Sequence, residues 1–207
     1  ELVRLAKDAG AWAVKGQALF SADDMLKSGS MPAAFSDQVR LSYKQYRKII
    51  DYGREIDIPV FYTILSSKLK ALRQHQRYHK LHSAKVDGYD SHKDSWLERH
   101  DQDNCFISMK RPITNYYFKL KPNLLYASDY CQPIDRSAYV AIYRRYQRRI
   151  GVSHHGLDTE DLMALRRDYE IPFVEKHFHL AGCSISHSGI HYRDCKHAVD
   201  PDGLRSL

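Results

Sequence analysis

Residues 136–178 read RSAYVAIYRRYQRRIGVSHHGLDTEDLMALRRDYEIPFVEKHF, and their apolar period changes several times. Tyr139, Ile142, Tyr143 and Tyr146 recur three or four residues apart, which predicts one face of an amphipathic helix over 136–149. Ile150-Gly151-Val152-Ser153 is then a short run with the length of a strand. A helix capped at Asp158 or Thr159 follows, with Leu162 and Leu165 as its apolar stripe. Ile171-Pro172-Phe173-Val174 reads as the next strand and ends in Glu175. Helix and strand alternating at this spacing are the unit of a parallel α/β protein, because neighbouring parallel strands need a long crossover between them.

The alternation extends outward to the rest of the chain. Residues 1–9 place Leu2, Leu5, Ala6 and Ala9 on one helical face, and Gly10 terminates it. The run Ala11–Val14 ends in Lys15. A long helix over about 38–55 carries Val39, Tyr43, Tyr46, Ile49 and Ile50 on one side. A strand over Ile58–Thr63 has Pro59 near its start, where a ladder donor is least needed. A helix near 66–80 and strands at Ser83–Val86, Cys105–Ser108 and Leu124–Ala127 complete the pattern. Seven strand–helix units that begin on a helix predict a (β/α)8 TIM-type barrel lacking its first strand, with 1–207 as one partial barrel domain. A doubly wound sheet is the alternative. It would carry a Gly-rich phosphate loop after a strand, and none is legible.

Composition narrows the function classes. With 43% hydrophobic residues, 15 Tyr, 7 Phe and 2 Trp, the chain has the material for a packed core. No apolar run approaches the ~20 residues needed to span a bilayer, so no membrane partner is expected. Cys105, Cys131, Cys183 and Cys195 form no CxxC pair. They read as reduced thiols of a cytoplasmic protein. A net charge of +7 is either an unspecific basic surface or an attraction for anionic ligands. Lys44–Lys48 and Arg144–Arg149 interleave cations with tyrosines as single-strand nucleic-acid binders do, but Tyr46 and Tyr146 fall on the apolar helical stripes. Nucleic acid is therefore the weaker partner reading.

The chemistry gathers at the carboxyl ends of the apolar runs. Lys15 and Gln17 end the first, Thr63 the second, Lys85 the third and Ser108 the fourth. Asp129 and Tyr130 follow the fifth, Ser153 and His155 the sixth, Glu175 and His177 the seventh. In a parallel barrel these ends converge on the face where such folds do chemistry. Two lysines suit a phosphate and a carboxylate. His155 and His177, on adjacent strand ends about 5 Å apart, suit one divalent ion. Two protein nitrogens leave positions for water and substrate oxygen, which fits Mn²⁺ better than a closed zinc site. His75, His79 and His82 have helical spacing but stand among Arg73, Arg77 and Lys80, so they read as a solvated face. His154, His187, His191 and His197 sit in loop-like sequence and receive no role.

These residues fall in recognisable motifs. Val174-Glu175-Lys176-His177-Phe178 resembles the Glu-Lys-His-Phe signature of the N-acetylneuraminate (sialic acid) synthase family. Gly151-Val152-Ser153-His154-His155 resembles that family's Gly-x-Ser-Asp-His, with its second histidine 22 residues before His177. Residues 9–17, AGAWAVKGQ, are similar to its Ala-Gly-Ala-Asp-x-Val-Lys-Phe-Gln. Weaker likenesses are Phe61-Tyr62-Thr63, Ala84-Lys85-Val86, Ile107-Ser108, Leu124-Leu125 leading to Tyr130 and Pro133, and Asp200-Pro201-Asp202.

The resemblance implies a barrel enzyme with a divalent metal, Mn²⁺ first and Mg²⁺ or Co²⁺ as alternatives. It implies a transferase that joins phosphoenolpyruvate to an N-acetylmannosamine-type aldehyde, giving a nonulosonic acid and phosphate. By the same carry-over His155 and His177 hold the metal. Lys15, Lys85, Ser108, Ser153 and Thr63 bind phosphoenolpyruvate, while Glu175, Gln17, Asp129 and Tyr130 face the sugar and the reacting centre. Glu175, Lys15 and Lys85 are the catalytic set, and relatives with swapped tails imply a homodimer. The pattern departs from the family at His154 (family Asp), Gly16 (family Phe) and Gly88 (family Ser). Neither the family's first strand nor its carboxy-terminal antifreeze-like domain has a counterpart. A family member that binds an anion or sugar without turnover is accordingly the alternative function.

Overall fold

The computed structural model describes residues 1–18, 41–64, 82–85, 105–112, 123–180 and 198–207, leaving aside the side chains at 18, 64, 82–85 and 105. The helix predicted near 66–80, with His75 and His79, lies outside these residues. So do Gly88, Cys183, Cys195, His187, His191 and His197. The chain divides into two compact units, one of Glu1, Val3 and Ala11–Ala84, the other of Leu2, Arg4–Gly10 and Lys85–Leu207. Both are α/β with parallel strands.

The first unit contains β1 (Val14–Ala18), α2 (Tyr43–Glu55) and β2 (Val60–Ile64), with β3 (His82–Lys85) running up to its boundary. Helix α1 (Leu2–Asp8) precedes them. Strand β1 pairs in parallel with β2, Val14 opposite Val60 and Gln17 opposite Thr63, and Thr63 pairs with Ser83 of β3. Helix α2 begins at Tyr43 because Ser42 and Gln45 form a capping box. The Ser42 hydroxyl accepts from the Gln45 N–H at 3.3 Å, and Gln45 Oε1 accepts from the Ser42 N–H at 2.8 Å. Its buried face is Tyr46 and Ile50, packed with Val3, Ile58, Val60 and Tyr62. The Tyr46 and Tyr62 rings meet edge to face at 5.0 Å.

Two readings shift by a residue or more. In α1 the buried positions are Val3, Ala6 and Ala9, while Leu2 is 47% exposed. The two stripes share both alanines, so apolarity alone could not choose between them. Strand β1 begins at Val14, whose N–H donates to the Pro59 carbonyl at 2.9 Å, and Trp12 stays outside it and exposed. Lys15 and Gln17 are therefore strand residues rather than the residues that follow a strand.

The second unit contains β4 (Cys105–Met109), β5 (Asn123–Ala127), α3 (Arg136–Tyr146), β6 (Gly151–His154), α4 (Glu160–Asp168), β7 (Val174–Lys176) and α5 (Pro201–Arg205). Its four strands pair in parallel in chain order. Leu124–Ala127 and Gly151–His154 are buried throughout, as expected for parallel strands with both faces covered. Asp135 caps α3 by accepting from the Ser137 and Ala138 N–H groups at 2.9 and 3.1 Å. The helix buries Tyr139 and Ile142, and the Tyr139 hydroxyl donates to the Ile150 carbonyl at 3.0 Å. Tyr143 lies 38% exposed against the Tyr139 ring, so the buried stripe is narrower than predicted.

Thr159 stands at the N-cap of α4 but its side chain makes no cap bond, and the Asp158 carboxylate instead accepts from the Glu160 N–H. The last strand lies later than Ile171–Val174. Pro172 has no N–H to give a ladder, and the pairing proper starts with Val174 opposite Val152. Phe173 contributes its carbonyl, which accepts from the Val152 N–H at 2.9 Å. Beyond β7, Val199 donates to the His177 carbonyl and accepts from the His179 N–H. Asp200 then caps α5, accepting from the Gly203 N–H. Among the described residues no helix is long and apolar enough to cross a membrane.

Candidate active site

The pleat sorts the second unit's side chains onto two faces. Register pairs share a face, so Ser108 and Leu125, Ala127 and Ser153, and Ser153 and Glu175 all lie on one side. Met109 and Tyr126, Val152 and Val174, and His154 and Lys176 lie on the other, where the Tyr126 ring meets Tyr139 of α3 at 6.1 Å. Ser108, Ser153 and Glu175 thus occupy the face opposite α3. Gly151 is required at the start of β6. A Cβ there would stand 2.4 Å from Leu125 Cδ2 and 2.7 Å from the Phe173 carbonyl oxygen.

On the face opposite α3, Ser153 Oγ donates to Glu175 Oε1 at 2.7 Å. Ser153 and Ser108 are 2% and 7% exposed, so these hydroxyls sit at the floor and not on the surface. One step further along the strands the imidazoles of His155 and His177 face each other with centroids 5.1 Å apart. The His155 Nδ1 lies 3.0 Å from the Ser128 carbonyl oxygen, which can only accept. Nδ1 therefore carries a proton. The His155 N–H donates to Ser128 Oγ at 2.7 Å, and Ser128 N–H donates to the Ser153 carbonyl at 3.1 Å. Ser128 thus grips His155 through two groups, its hydroxyl and its carbonyl, and is itself tied to β6 through its N–H. It is 1% exposed and was not legible as a site residue, because a serine after a strand is ordinary.

Tyr130 closes the cluster. Its ring centroid lies 4.6 Å from that of His155 and 6.3 Å from that of His177, yet the residue is 47% exposed. The next residue, Cys131, adopts a left-handed φ of 58° and donates its N–H to the His155 carbonyl at 2.8 Å, which holds the tyrosine over the pair. Asp129, the residue before Tyr130, forms an exposed ion pair with Lys110.

A second cluster lies behind the first. His154, read from sequence as a loop residue, is the last residue of β6 and is fully buried. Its Nδ1 lies 2.8 Å from Lys176 Nζ and its Nε2 lies 3.0 Å from Asp161 Oδ1. Lys176 also donates to the Gly156 carbonyl at 2.8 Å. Burial, reinforced by the neighbouring ammonium, lowers the His154 pKa below its ordinary value. The ring is therefore neutral, with Nε2–H donating to Asp161, and the contact is a hydrogen bond and not an ion pair. Burial brings Lys176 down to about 8, against the opposing pull of Asp161 and Asp158. The alternation of β6 and β7 was the available signal for this cluster: His154 and Lys176 are register partners one residue before each candidate ligand.

The remaining predicted residues belong to other parts of the chain. Lys15, Gln17 and Thr63 lie on the face of the first sheet opposite α2, since Gly16 and Tyr62 alternate onto the helix side. The Tyr62 ring takes the space a side chain at Gly16 would need, coming within 2.5 Å of its Cβ position. Thr63 is buried and Gln17 exposed. Lys85 is the final residue of β3.

His155 and His177 fit an open divalent site, in which two imidazole nitrogens leave room for solvent and substrate oxygens. Among the described residues no group of three His, Cys, Asp or Glu side chains gathers to form a closed one.

No family model and no curated protein matches the chain. Solved structures do. The N-acetylneuraminic acid (sialic acid) synthetase of Leptospira borgpetersenii serovar Hardjo-bovis, in complex with citrate, superposes with a TM-score of 0.67 at 19% identity. That match covers 99% of this chain and 73% of the other. The spore coat polysaccharide biosynthesis protein spsE of Bacillus subtilis gives a TM-score of 0.64 at 20% identity, covering 99% of this chain and 60% of the other. At such identities the likeness is one of fold, and in fold this chain is similar to both, the first of them a sialic acid synthetase of the kind whose family motifs it resembles.

Proposed function

We propose that the chain is the parallel-barrel portion of a nonulosonic acid synthase, condensing phosphoenolpyruvate with an N-acetylmannosamine-type aldehyde. The observation that carries this reading is the pairing of His155 and His177 at 5.1 Å beside the Ser153–Glu175 hydrogen bond. The bound divalent ion, Mn²⁺ in this reading, supplies Lewis acidity to the aldehyde oxygen. His155 and His177 would hold it, with the His155 tautomer already set by Ser128.

The chain's own residues do the rest. By the resemblance, Lys15 and Lys85 take the phosphate and carboxylate of phosphoenolpyruvate as point charges, with Thr63 and Ser108 donating hydroxyl hydrogen bonds while the Ser153 hydroxyl stays with Glu175 beside the anion. Carbon 3 of the enolpyruvyl group bonds to the aldehyde carbon, and positive charge develops at carbon 2. Water adds there, the carbon 2 to phosphate-oxygen bond breaks, and inorganic phosphate leaves with a keto acid as product. The Glu175 carboxylate, oriented by Ser153 Oγ, stabilises the cationic carbon, accepts the proton of the entering water and passes it to the new alkoxide oxygen. The carbon 2 hydroxyl gives its proton to the departing phosphate as the ketone forms. Gln17, Asp129 and Tyr130 take the sugar.

The test is phosphate release from phosphoenolpyruvate and N-acetylmannosamine with added Mn²⁺. Release that requires all three, and that is lost together with Mn²⁺ binding in His155→Ala, is the expected result. Mn²⁺ retained by that variant counts against the site. Absence of release from folded protein counts against catalysis and favours a family member that binds without turnover.

A further inference from the structure

We propose that Lys176, His154 and Asp161 form a positioning relay that fixes the spacing of His155 and His177 from the opposite side of the sheet. The inference rests on the reading of those two imidazoles as holders of a divalent ion. Chain order supplies the first step. His154 and Gly156 flank His155, and Lys176 immediately precedes His177.

A single ammonium, Lys176 Nζ, reaches both flanks of His155 at once, His154 Nδ1 at 2.8 Å and the Gly156 carbonyl at 2.8 Å. It therefore couples the peptide that carries one imidazole to the peptides on either side of the other. Both contacts thus join β7 to the end of β6 at the register in which His154 faces Lys176.

Asp161 anchors the relay to the rest of the unit. Its Oδ1 accepts from His154 Nε2 at 3.0 Å and from the Leu162 N–H at 2.7 Å, and its Oδ2 accepts from the Ile134 N–H at 2.5 Å. Ile134 lies in the segment between β5 and α3, the segment that also holds Tyr130 over the histidines. One carboxylate thus ties the start of α4, the end of β6 and the Tyr130 segment together.

Stability alone gives a poor account of this arrangement. The network is part-buried, with His154 alone fully enclosed, and polar networks inside a protein in some systems persist where they specify one geometry rather than where they add stability. Here the geometry specified is the register of two adjacent imidazoles. Residues that orient ligands in this way, without touching the ion, commonly change metal affinity 10–100-fold when removed.

Mn²⁺ affinity of the whole chain, read by the loss of the free-ion electron paramagnetic resonance signal, tests the relay in Lys176→Met, His154→Leu and His154→Asn. Asn can keep an acceptor for Lys176, whereas Leu keeps nothing. The expected result is weakening by about tenfold or more for Lys176→Met and His154→Leu, with His154→Asn intermediate. Cooperative urea unfolding of each variant without metal shows that the loss is not global unfolding. Metal affinity equal to wild type in Lys176→Met and His154→Leu overturns the relay while leaving the histidine site standing.

Long-range ¹H–¹⁵N spectra of the imidazoles without metal separate the two ideas. Wild type is expected to give a single Nδ1-protonated form for His155, and Lys176→Met to split or broaden its ring signals. If wild type binds no Mn²⁺ but the spectra still respond to Lys176→Met, the metal reading fails and the relay survives. Unchanged spectra overturn the relay whatever the metal does.

Discussion

Ser153 Oγ donates to Glu175 Oε1 at 2.7 Å between two residues that are register partners on β6 and β7. The pairing makes the hydrogen bond a consequence of the sheet itself. Parallel register brings the two side chains to one face, and the 2% exposure of Ser153 removes competing solvent. A carboxylate held this way needs no rearrangement to meet a developing positive charge.

Glu175→Gln keeps an oxygen that can accept from Ser153 and removes the charge. Phosphate release is expected to fall by about 10²- to 10⁴-fold, with urea unfolding unchanged. A steady-state assay alongside an unfolding curve checks it, and full activity would remove Glu175 from the mechanism.

Ser128→Ala leaves the Ser128 carbonyl that holds His155 Nδ1 but deletes the Oγ that accepts from the His155 N–H. A buried N–H without its acceptor costs about 1–3 kcal/mol, which urea denaturation should read directly. Ser128→Thr keeps the hydroxyl and is expected to lose much less. Equal destabilisation of the two variants would mean that volume, not the hydrogen bond, decides this position.

Gly151→Ala places a methyl 2.4 Å from Leu125 Cδ2 and 2.7 Å from a backbone oxygen that cannot rotate away. The expected cost is about 1–3 kcal/mol, seen as a lower urea midpoint at constant slope. A neutral substitution would show that β6 and β7 can separate freely, contrary to the register described.

His154 gives a pH dependence whose sign is fixed. Burial lowers its folded-state pKa below the ordinary 6.5, so in acid the unfolded chain takes up the proton first. Stability is therefore lost as pH falls through about 6.5 toward the folded pKa, and above that range His154 contributes no pH dependence. Unfolding free energies of wild type and His154→Asn between pH 5 and 8 check it: the wild-type curve should fall more steeply below 6.5. Parallel curves would show that His154 is protonated with equal ease in both states.

Much of the fold was legible because a parallel α/β chain alternates its period, and each switch is local. The strands at Cys105–Met109, Asn123–Ala127 and Gly151–His154 begin within a residue of where the apolar runs placed them. The first and last strands were read too early because their leading residues are apolar yet precede the paired stretch: Trp12 lies exposed ahead of Val14, and Pro172 has no N–H to give a ladder. The site was half legible. Polar residues that follow apolar runs stood out, whereas His154 hid beside His155 because two adjacent histidines read alike until the pleat sends them to opposite faces.

The sequence by itself determined the α/β alternation, the two motifs and the candidacy of His155, His177 and Glu175, since these depend on residue type and short-range spacing. Only the tertiary structure decided the register between β6 and β7, and with it which residues meet: Ser153 with Glu175 on one face, His154 with Lys176 on the other. Register depends on hydrogen bonds between segments far apart in the chain, and a slip of one residue exchanges the two faces, so no local pattern could encode it alone.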